Sequence, residues 1–436
     1  MSSLCVDNPL RRIRETNLTR RTGRVAQVVG LVVEGQGPPA ALGETCWIEI
    51  PGQPRRAAEV VGFRDSRTLL MPLGPMDGIG PGQQITASGQ PLSVPVGPGL
   101  LGRVLDGWGQ PLDSKGPVGT VELRSLSSPP PDPMKRERVK DVLPLGVRAV
   151  DGLLTCGRGQ RMGIFGGSGV GKSTLLGMFA RNTRADMNVI ALIGERGREV
   201  RDFLEKDLGP EGLRRSVIVV ATSDQPALVR IKAAYAAATM AEYFRDRGQN
   251  VLFMMDSVTR LCLAQREIGL AVGEPPTTRG YTPSVFSQLP RYLERSGMGE
   301  KGSITGLYTV LVEGDDMNEP VADAVRSILD GHIVLSRDLA AANHFPSIDC
   351  LASTSRIFPD IASPEHKKAA ARMRHLMSVH TKARDLLDVG AYVAGSNQDL
   401  DAALKIWPKI QSFLHQSSDE SADFAKTIQL LRELNT

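Results

Sequence analysis

Aromatic residues and long apolar runs are both scarce in this sequence of 436 residues. Aromatics make up only 5% of the chain, so it shows no stacking surface for nucleic-acid bases. No apolar run approaches the roughly 18 residues that a membrane span needs, and the N-terminus lacks the apolar core of a signal peptide. These absences argue against a nucleic-acid-binding protein and against a membrane-spanning one.

Cysteine pairs and histidine ligand patterns are missing too. The five cysteines are odd in number, and no two of them have the spacing of a zinc site. The six histidines contain no H-x-x-x-H pattern. We therefore predict a reduced, cytoplasmic protein without a structural metal site. The cysteines are Cys5, Cys46, Cys156, Cys262 and Cys350.

The remaining composition is ordinary for a globular protein. Hydrophobic residues make up 41% and charged residues 23% of the chain, and the net charge is +4. A mildly basic balance of this size does not by itself indicate nucleic acid as a partner. The length predicts two or three domains, because a chain this long exceeds what one core organises.

One segment identifies a nucleotide site. The run "GIFGGSGVGKSTLLG" fits G-x-x-x-x-G-K-[ST], follows a short apolar run and precedes a helical pattern. Glycines allow the backbone N–H groups to face phosphate oxygens, and the helix start adds its positive dipole end. Lys172 would reach the β- and γ-phosphates, and the Ser173 hydroxyl would bind Mg²⁺. The residues predicted to cradle the phosphates are Gly166, Gly167, Ser168, Gly169, Val170, Gly171, Lys172, Ser173 and Thr174.

Two further strand ends carry charges. The run "VLFMMDS" is apolar and ends in Asp256, the position of an acid that holds Mg²⁺ opposite a phosphate loop. The run "LIGERGREV" ends in Glu195 and Arg196, at the sheet edge where ligands of α/β proteins bind. Glu195 is a candidate to orient a water molecule for attack on the terminal phosphate of the nucleotide. From the pattern alone, a surface ion-pair network explains these charges equally well.

The pattern of apolar runs changes three times along the chain. Residues 1–23 are rich in arginine, and residues 24–92 contain short β-like runs separated by Gly- and Pro-rich turns, which predicts a small β-barrel. Residues 93–358 alternate strands with helices, which predicts a mainly parallel sheet around the phosphate loop. Residues 359–436 are helical in pattern. The fold class is therefore α/β with an N-terminal β-barrel and a C-terminal helical domain.

Four strings occur in an informative order: "GGSGVGKS", "GERGREV", "VLFMMDSVTR" and "STSRI". In this order they resemble the rotary-ATPase family, and strings such as "LLGRVLDGWGQPLD" and "LYTVLVEGDDMNEPVADAVRSILDGHIVLSR" resemble its flagellar type III export branch. The resemblance runs from about Arg24 to the end of the chain. It implies a RecA-like ATPase domain over residues 93–358, and an ATP-hydrolysing enzyme that uses Mg²⁺ and acts as a homohexamer.

The resemblance also assigns roles to single residues. It implies that Glu195 is the catalytic glutamate and that Arg196 and Arg260 are arginines of the active site. It implies that Arg356 enters a neighbouring subunit's site as an arginine finger. Phe345 and Tyr392 correspond to aromatic residues expected against the adenine.

The function implied is that of the motor of a flagellar export apparatus, with chaperone–substrate complexes and export-apparatus stalk and regulatory proteins as partners. The basic N-terminal segment is expected either to bind such a partner or acidic lipid, or to be a solvated tail. The expected location is the cytoplasm, at the cytoplasmic face of the inner membrane. Virulence injectisome ATPases are the nearest alternative, followed by an F- or V-type rotary subunit and an RNA translocase.

Overall fold

A computed structural model describes residues 20–119 and 122–434 of the chain. The described residues up to Leu92, together with Leu270–Glu274, form one compact unit. The described residues Ser93–Gly269 and those from Pro275 onward form the other. The basic segment predicted over residues 1–23 lies almost wholly outside the described residues.

The first unit contains a closed antiparallel barrel, so the predicted β-barrel is confirmed. Its strand order is β1-β2-β5-β4-β3-β6. Apolar residues that alternate along the strands fill the interior of the barrel. Val33, Ile48 and Leu70 belong to this core, and none of them is measurably exposed. The strands are β1 (Thr22–Val29), β2 (Val32–Gln36), β3 (Glu44–Ile48), β4 (Arg56–Arg64), β5 (Arg67–Pro72) and β6 (Gln84–Pro91).

The second unit is built on a mainly parallel sheet, as predicted. Its strand order is β17-β16-β10-β15-β13-β11-β12-β8; β17 is antiparallel to β16, and β14 pairs antiparallel with β15. A separate ribbon joins β7 to β9. The strands are β7 (Ser93–Val96), β8 (Val104–Leu105), β9 (Glu122–Ser125), β10 (Arg161–Gly166), β11 (Met187–Ile193), β12 (Ser216–Ala221), β13 (Asn250–Asp256), β14 (Gly297–Met298), β15 (Ser303–Leu311), β16 (Gly331–Leu335) and β17 (Ile348–Ser355).

Continuous apolar composition explains the central strands. Every residue of β11 and of β12 is buried, because helices cover both faces of a parallel sheet. The parallel arrangement brings the carboxyl ends of β10, β11 and β13 to one edge of the sheet. The phosphate loop follows β10, Glu195 follows β11, and Asp256 is the last residue of β13.

The helices connect these strands and form the C-terminal part. They are α1 (Arg148–Leu153), α2 (Lys172–Asn182), α3 (Gly197–Asp202), α4 (Gly209–Arg214), α5 (Ala227–Arg245), α6 (Val258–Val272), α7 (Pro283–Leu293), α8 (Pro320–Ile328), α9 (Arg337–Ala341), α10 (Phe358–Ile361), α11 (Pro364–Lys382), α12 (Arg384–Asp388), α13 (Gln398–Leu414) and α14 (Phe424–Glu433). Within residues 20–119 and 122–434, no helix combines the length and the apolar character needed to cross a bilayer.

The C-terminal helices pack on the nucleotide-binding sheet and share its core. Met373 of α11, Phe413 of α13 and Leu431 of α14 belong to the same buried cluster as Leu176 of α2 and Ile333 of β16. Each of these side chains is at most 5% exposed. The predicted helical fold of the C-terminal part is therefore confirmed, and the core of these helices is continuous with that of the sheet.

Candidate active site

The phosphate loop lies between β10 and α2, as the motif predicts. Gly169 and Gly171 have φ angles of 80° and 89°, a conformation that side-chain-bearing residues rarely adopt. Ser168 and Gly169 are exposed, and the Ser173 hydroxyl lies in the exposed first turn of α2. An exposed glycine-rich loop that leads directly into a helix is the arrangement that binds phosphate in other proteins.

Lys172 is folded back over this loop. Its Nζ donates to the carbonyl of Gly166 at 3.1 Å and to that of Gly167, and the residue is 8% exposed. Burial lowers the pKa of Lys172, although the carboxylates of Asp256 and Glu195 oppose the shift. A partly desolvated ammonium group held by neutral carbonyls can exchange them for phosphate oxygens with a large electrostatic gain.

Gly167 allows a close approach to an ion pair. A Cβ added there would lie 2.6 Å from Nη2 of Arg337 and 3.2 Å from Oδ1 of Asp315. Arg337 Nε and Asp315 Oδ2 are 3.4 Å apart. This pair lies over the loop and was not among the residues predicted from the sequence, since nothing in the pattern around "VEGDDMNEP" or "LSRDLA" singles it out.

Asp256 ends β13 and is 7% exposed. The Thr309 hydroxyl, on the adjacent strand β15, donates to its Oδ1 at 2.6 Å. Burial raises the pKa of Asp256, and the Thr309 hydrogen bond and the Lys172 charge oppose the shift. Thr309 thus fixes the carboxylate that the sequence predicts as a Mg²⁺ ligand. Strand pairing across the sheet reveals this contact, which no linear motif could.

Glu195 follows β11 at the same edge of the sheet. Burial, then the negative charge of Asp256 and a hydrogen bond with Glu199, raise the pKa of Glu195 to about 8. The charge of Arg260 acts in the opposite direction. A carboxyl group poised near neutral pH beside a phosphate loop has the properties of a general base.

Arg260 supplies positive charge beside these two acids. It lies in the first turn of α6, close to Gly194, where an added Cβ would be 2.8 Å from the Arg260 Cβ. Its Nε is buried and has no hydrogen-bond partner among the described residues. A buried, unsatisfied guanidinium donor is costly unless a ligand satisfies it, which suits a contact with a phosphate oxygen.

Arg196 is placed differently from its neighbour. Its side chain is 73% exposed, and its Nη1 lies 3.4 Å from Oε1 of Glu199. The structure does not bring this guanidinium together with Lys172 and Asp256. The alternative of a surface ion pair, which the sequence leaves open for this cluster, therefore describes Arg196 but not Glu195.

Arg356 lies at the far end of the sheet from the phosphate loop. Ser355 is paired with Gly331 at the start of β16, and Ile348 with Leu335 at its end. The register of β16 on β10 then places Arg356 some four to five strand residues, or roughly 15 Å, from the loop. The residue is exposed. An arginine side chain cannot span this distance, so Arg356 does not reach its own chain's phosphate site.

A cavity of about 440 Å³ lies beside the loop and would accept the nucleoside. Phe345 forms one side of it, and residues 415–418 after α13 form another. Ser347 donates to the carbonyl of Val170 at 2.6 Å, which ties the Phe345 segment to the loop. The "HQSS" segment at 415–418 carries no recognisable motif, so the sequence alone does not predict its place at this cavity.

Tyr392 does not line this cavity. Its hydroxyl donates to the carbonyl of Asn397 at 3.1 Å and lies 2.9 Å from Oδ1 of Asp401, within the turn that precedes α13. The structure therefore brings Phe345, but not Tyr392, to the nucleoside side of the loop. "GAYVAG" is a turn of the C-terminal helices.

Because the Glu195 carboxyl is held neutral by the fold, it also affects stability. The unfolded carboxyl ionises near pH 4.5, whereas the folded one keeps its proton up to about pH 8. The contribution of Glu195 to the free energy of unfolding of the wild-type protein is fully present below pH 4.5, and it is lost as the pH rises to 8. Since glutamine does not titrate, Glu195→Gln should be more stable than wild type at pH 8, by about 2 kcal/mol after allowance for solvent screening.

Thermal unfolding of both nucleotide-free proteins at pH 5, 6, 7 and 8 tests this prediction. The difference in melting temperature should be near zero at pH 5 and should widen up to pH 8. A difference that stays constant over this range would contradict the shifted pKa of Glu195.

The chain resembles known proteins over almost its whole length. Residues 146–355 match the model of the ATP synthase alpha/beta family nucleotide-binding domain, residues 25–89 that family's β-barrel domain, and residues 362–433 the T3SS EscN ATPase C-terminal domain. The chain is 54% identical over 424 residues to the flagellum-specific ATP synthase of Bacillus subtilis, and the match covers 97% of each chain. It is 52% identical to the type 3 secretion system ATPase of Xanthomonas euvesicatoria, covering 94% of this chain and 93% of that one.

A solved structure extends the likeness to three dimensions. The assembled ATPase EscN of enteropathogenic E. coli, in complex with its central stalk EscO, superposes with a TM-score of 0.88 at 46% identity. The match covers 95% of this chain and all of that one. The likeness therefore extends over the barrel, the sheet and the C-terminal helices.

Proposed function

The chain belongs to the ATP synthase alpha/beta family, and on that premise we propose that it is the ATPase that powers flagellar type III protein export. The assignment to flagellar export rests on the relatives, and the observation that carries ATP hydrolysis is the convergence of Lys172, Asp256 and Glu195 at one edge of the sheet. A phosphate cradle, an acid for a metal and a tunable base are the parts that hydrolysis of a terminal phosphate requires.

The residues would divide the work as follows. The loop N–H groups and Lys172 hold the β- and γ-phosphates and so fix the phosphorus in position. Glu195 in its ionised form accepts a proton from the water that attacks the γ-phosphate in line. Arg260, with its unsatisfied Nε, donates to a γ-phosphate oxygen as negative charge develops there.

Mg²⁺ fits the donors at this site. Hard oxygen ligands are what this ion prefers, and the Ser173 hydroxyl and the Asp256 carboxylate are both oxygen donors at the phosphate loop. When bound, the ion neutralises charge on the β- and γ-phosphates. Its charge would also favour ionised Glu195 and thereby lower the pKa of this residue from the value of about 8.

We infer that the active form is a homohexamer in which Arg356 completes a neighbour's site. The distance of Arg356 from its own phosphate loop supports this role, as does the assembled state in which the relative EscN was solved. A finger supplied by the next subunit makes hydrolysis depend on assembly. It also couples the state of one site to that of its neighbour.

The proposed partners follow from the relatives. EscN binds a central stalk, and we propose a corresponding stalk protein, regulatory proteins and chaperone–substrate complexes for this chain. We place it in the cytoplasm, peripherally at the inner membrane. Contact of the arginine-rich N-terminal residues with acidic lipid or a regulatory partner remains part of this proposal, and these residues lie mostly outside the described ones.

A virulence injectisome is the second candidate system. The identity to a type 3 secretion system ATPase is 52%, nearly equal to that with the flagellar relative. A deletion strain of the source organism separates the two. If the flagellar proposal holds, hook and filament proteins disappear from the culture medium and motility is lost. If export of needle-complex substrates is lost instead, the injectisome is the correct system.

A further inference from the structure

One buried side chain beside the nucleoside cavity has no part in the mechanism above. Gln416 is 1% exposed and follows α13, where the chain has left the helix. A buried amide in a loop is costly to desolvate unless its hydrogen-bonding groups are satisfied. The contacts that satisfy Gln416 therefore indicate what this residue holds in place.

The Gln416 side chain joins the C-terminal segment to the nucleotide-binding part. Its Nε2 donates to the carbonyls of Gly146 and Glu420, both at 2.9 Å, and its Oε1 accepts from the backbone N–H of Arg148 at 2.9 Å. Gly146 and Arg148 belong to the segment that leads into α1. The side-chain amide of Gln416 thus bonds both the segment before α1 and the chain that follows α13.

The Gln416 backbone faces the cavity. Its N–H donates to the carbonyl of Phe345 at 2.9 Å, so the two walls of the nucleoside cavity are hydrogen-bonded to each other. Phe345 is in turn tied to the phosphate loop through Ser347 and Val170. Hydrogen bonds therefore link the phosphate loop to the Phe345 segment and the Phe345 segment to the Gln416 backbone. The Gln416 side chain anchors the far end of this series, so we infer that it sets the width of the cavity.

Two arginines support the same wall from outside. Arg148 Nη2 donates to the carbonyl of His415 at 2.5 Å, and Arg181 Nη2, at the end of α2, donates to that of Ser418 at 2.6 Å. Residues 415–418 have no helix or strand of their own. Their order depends on these side-chain contacts, with Gln416 at the centre.

We propose that Gln416 is a positioning residue for the nucleotide base, since it holds the 415–418 wall against Phe345. A preformed wall avoids the entropy cost of ordering a loop when the base binds. The phosphates are held by a different set of groups, the loop and Lys172, and none of them is hydrogen-bonded to the Gln416 side chain. Loss of this amide should weaken binding of the base and spare binding of the phosphates. The inference rests on the proposed function, because it assumes that the ligand is a nucleoside triphosphate.

The test compares a ligand that has a base with one that has none. Calorimetry of Gln416→Leu with Mg·ATP and with Mg·tripolyphosphate should show an ATP dissociation constant raised about tenfold and a tripolyphosphate constant within about twofold of wild type. KM for ATP should rise with the dissociation constant, while kcat at saturation stays within about threefold. The matched control is Gln429→Leu, which should leave all of these values unchanged, because Gln429 is an exposed glutamine on α14 whose side chain donates to Glu433.

A second variant keeps the test decisive if Gln416→Leu does not fold. Arg181→Met releases only the Ser418 carbonyl from this set of contacts, and we expect the same selective loss of ATP affinity, about threefold. Equal weakening of both ligands, or unchanged ATP affinity in a folded variant, would overturn the inference. Wild-type protein that binds ATP no more tightly than tripolyphosphate would also overturn the inference, whereas wild-type protein that neither binds nor hydrolyses Mg·ATP would overturn the proposed function.

Discussion

Glu195→Gln should reduce ATP turnover by about a hundredfold or more while Mg·ATP binding is retained, since an amide cannot accept the proton of the attacking water. The raised pKa of Glu195 adds a second expectation. In wild-type protein, kcat/KM should rise as the pH approaches 8, because this ratio reports the pKa of the free enzyme. The Glu195→Gln variant should not show this rise of kcat/KM with pH.

Phosphate release measured over a range of ATP concentrations from pH 6 to 9, which gives kcat and kcat/KM separately, and binding of a fluorescent ATP analogue check both expectations. Glu205→Gln is the matched control, because Glu205 is a nearby glutamate that pairs with Arg201 at the surface. Turnover of Glu195→Gln within a few-fold of wild type would remove Glu195 from the role of base. Loss of nucleotide binding would show that the substitution had damaged the phosphate site itself.

Arg356→Ala should also abolish most turnover, by at least about a hundredfold, because the transition-state charge on the γ-phosphate loses its neighbouring guanidinium. Each isolated subunit should still bind ATP, since Arg356 lies at the opposite end of the sheet from the phosphate loop. Arg384→Ala, which removes an exposed arginine paired with Asp388, serves as the control and should retain activity.

Mixing distinguishes a finger that acts between subunits from an indirect structural effect. Arg356→Ala and Glu195→Gln chains are mixed in equal amounts and allowed to assemble in random order. About a quarter of the interfaces then contain an intact Glu195 on one chain and an intact Arg356 on its neighbour. Partial recovery of turnover is therefore expected from two inactive parents. If Arg356 acted within its own chain, no chain in the mixture would carry both residues, and turnover would not recover.

Particular elements show how far the sequence alone could predict this site. The phosphate loop and the strand ending in Asp256 are linear patterns, so their positions followed from residue type and spacing. Thr309 and the Arg337–Asp315 pair reach the site from other strand ends. Only the pairing of strands brings these residues to the site, and the order of residues along the chain does not show which strands pair.

The C-terminal side of the nucleoside cavity illustrates a second limit. An aromatic residue was expected there, and Tyr392 was the candidate in the sequence. In the structure Tyr392 does not line the cavity, and the C-terminal wall of the cavity is a loop of polar residues at 415–418 that is held by hydrogen bonds from a buried glutamine and two arginines. Helices α11, α13 and α14 were recognisable from their apolar spacing, but the spacing does not say which inter-helix loop meets the phosphate loop.

The central claim is that hydrolysis takes place in a pocket shared between identical neighbours. A structure of the assembled protein with Mg²⁺, ADP and a fluoride mimic of the transferring phosphoryl group tests this claim most directly. Our account predicts the Glu195 carboxylate within hydrogen-bonding distance of the in-line water, and Arg356 of the adjacent subunit within hydrogen-bonding distance of the mimic. A closed pocket in which Glu195 faces away from that water, or in which every group around the mimic comes from one chain, would contradict it.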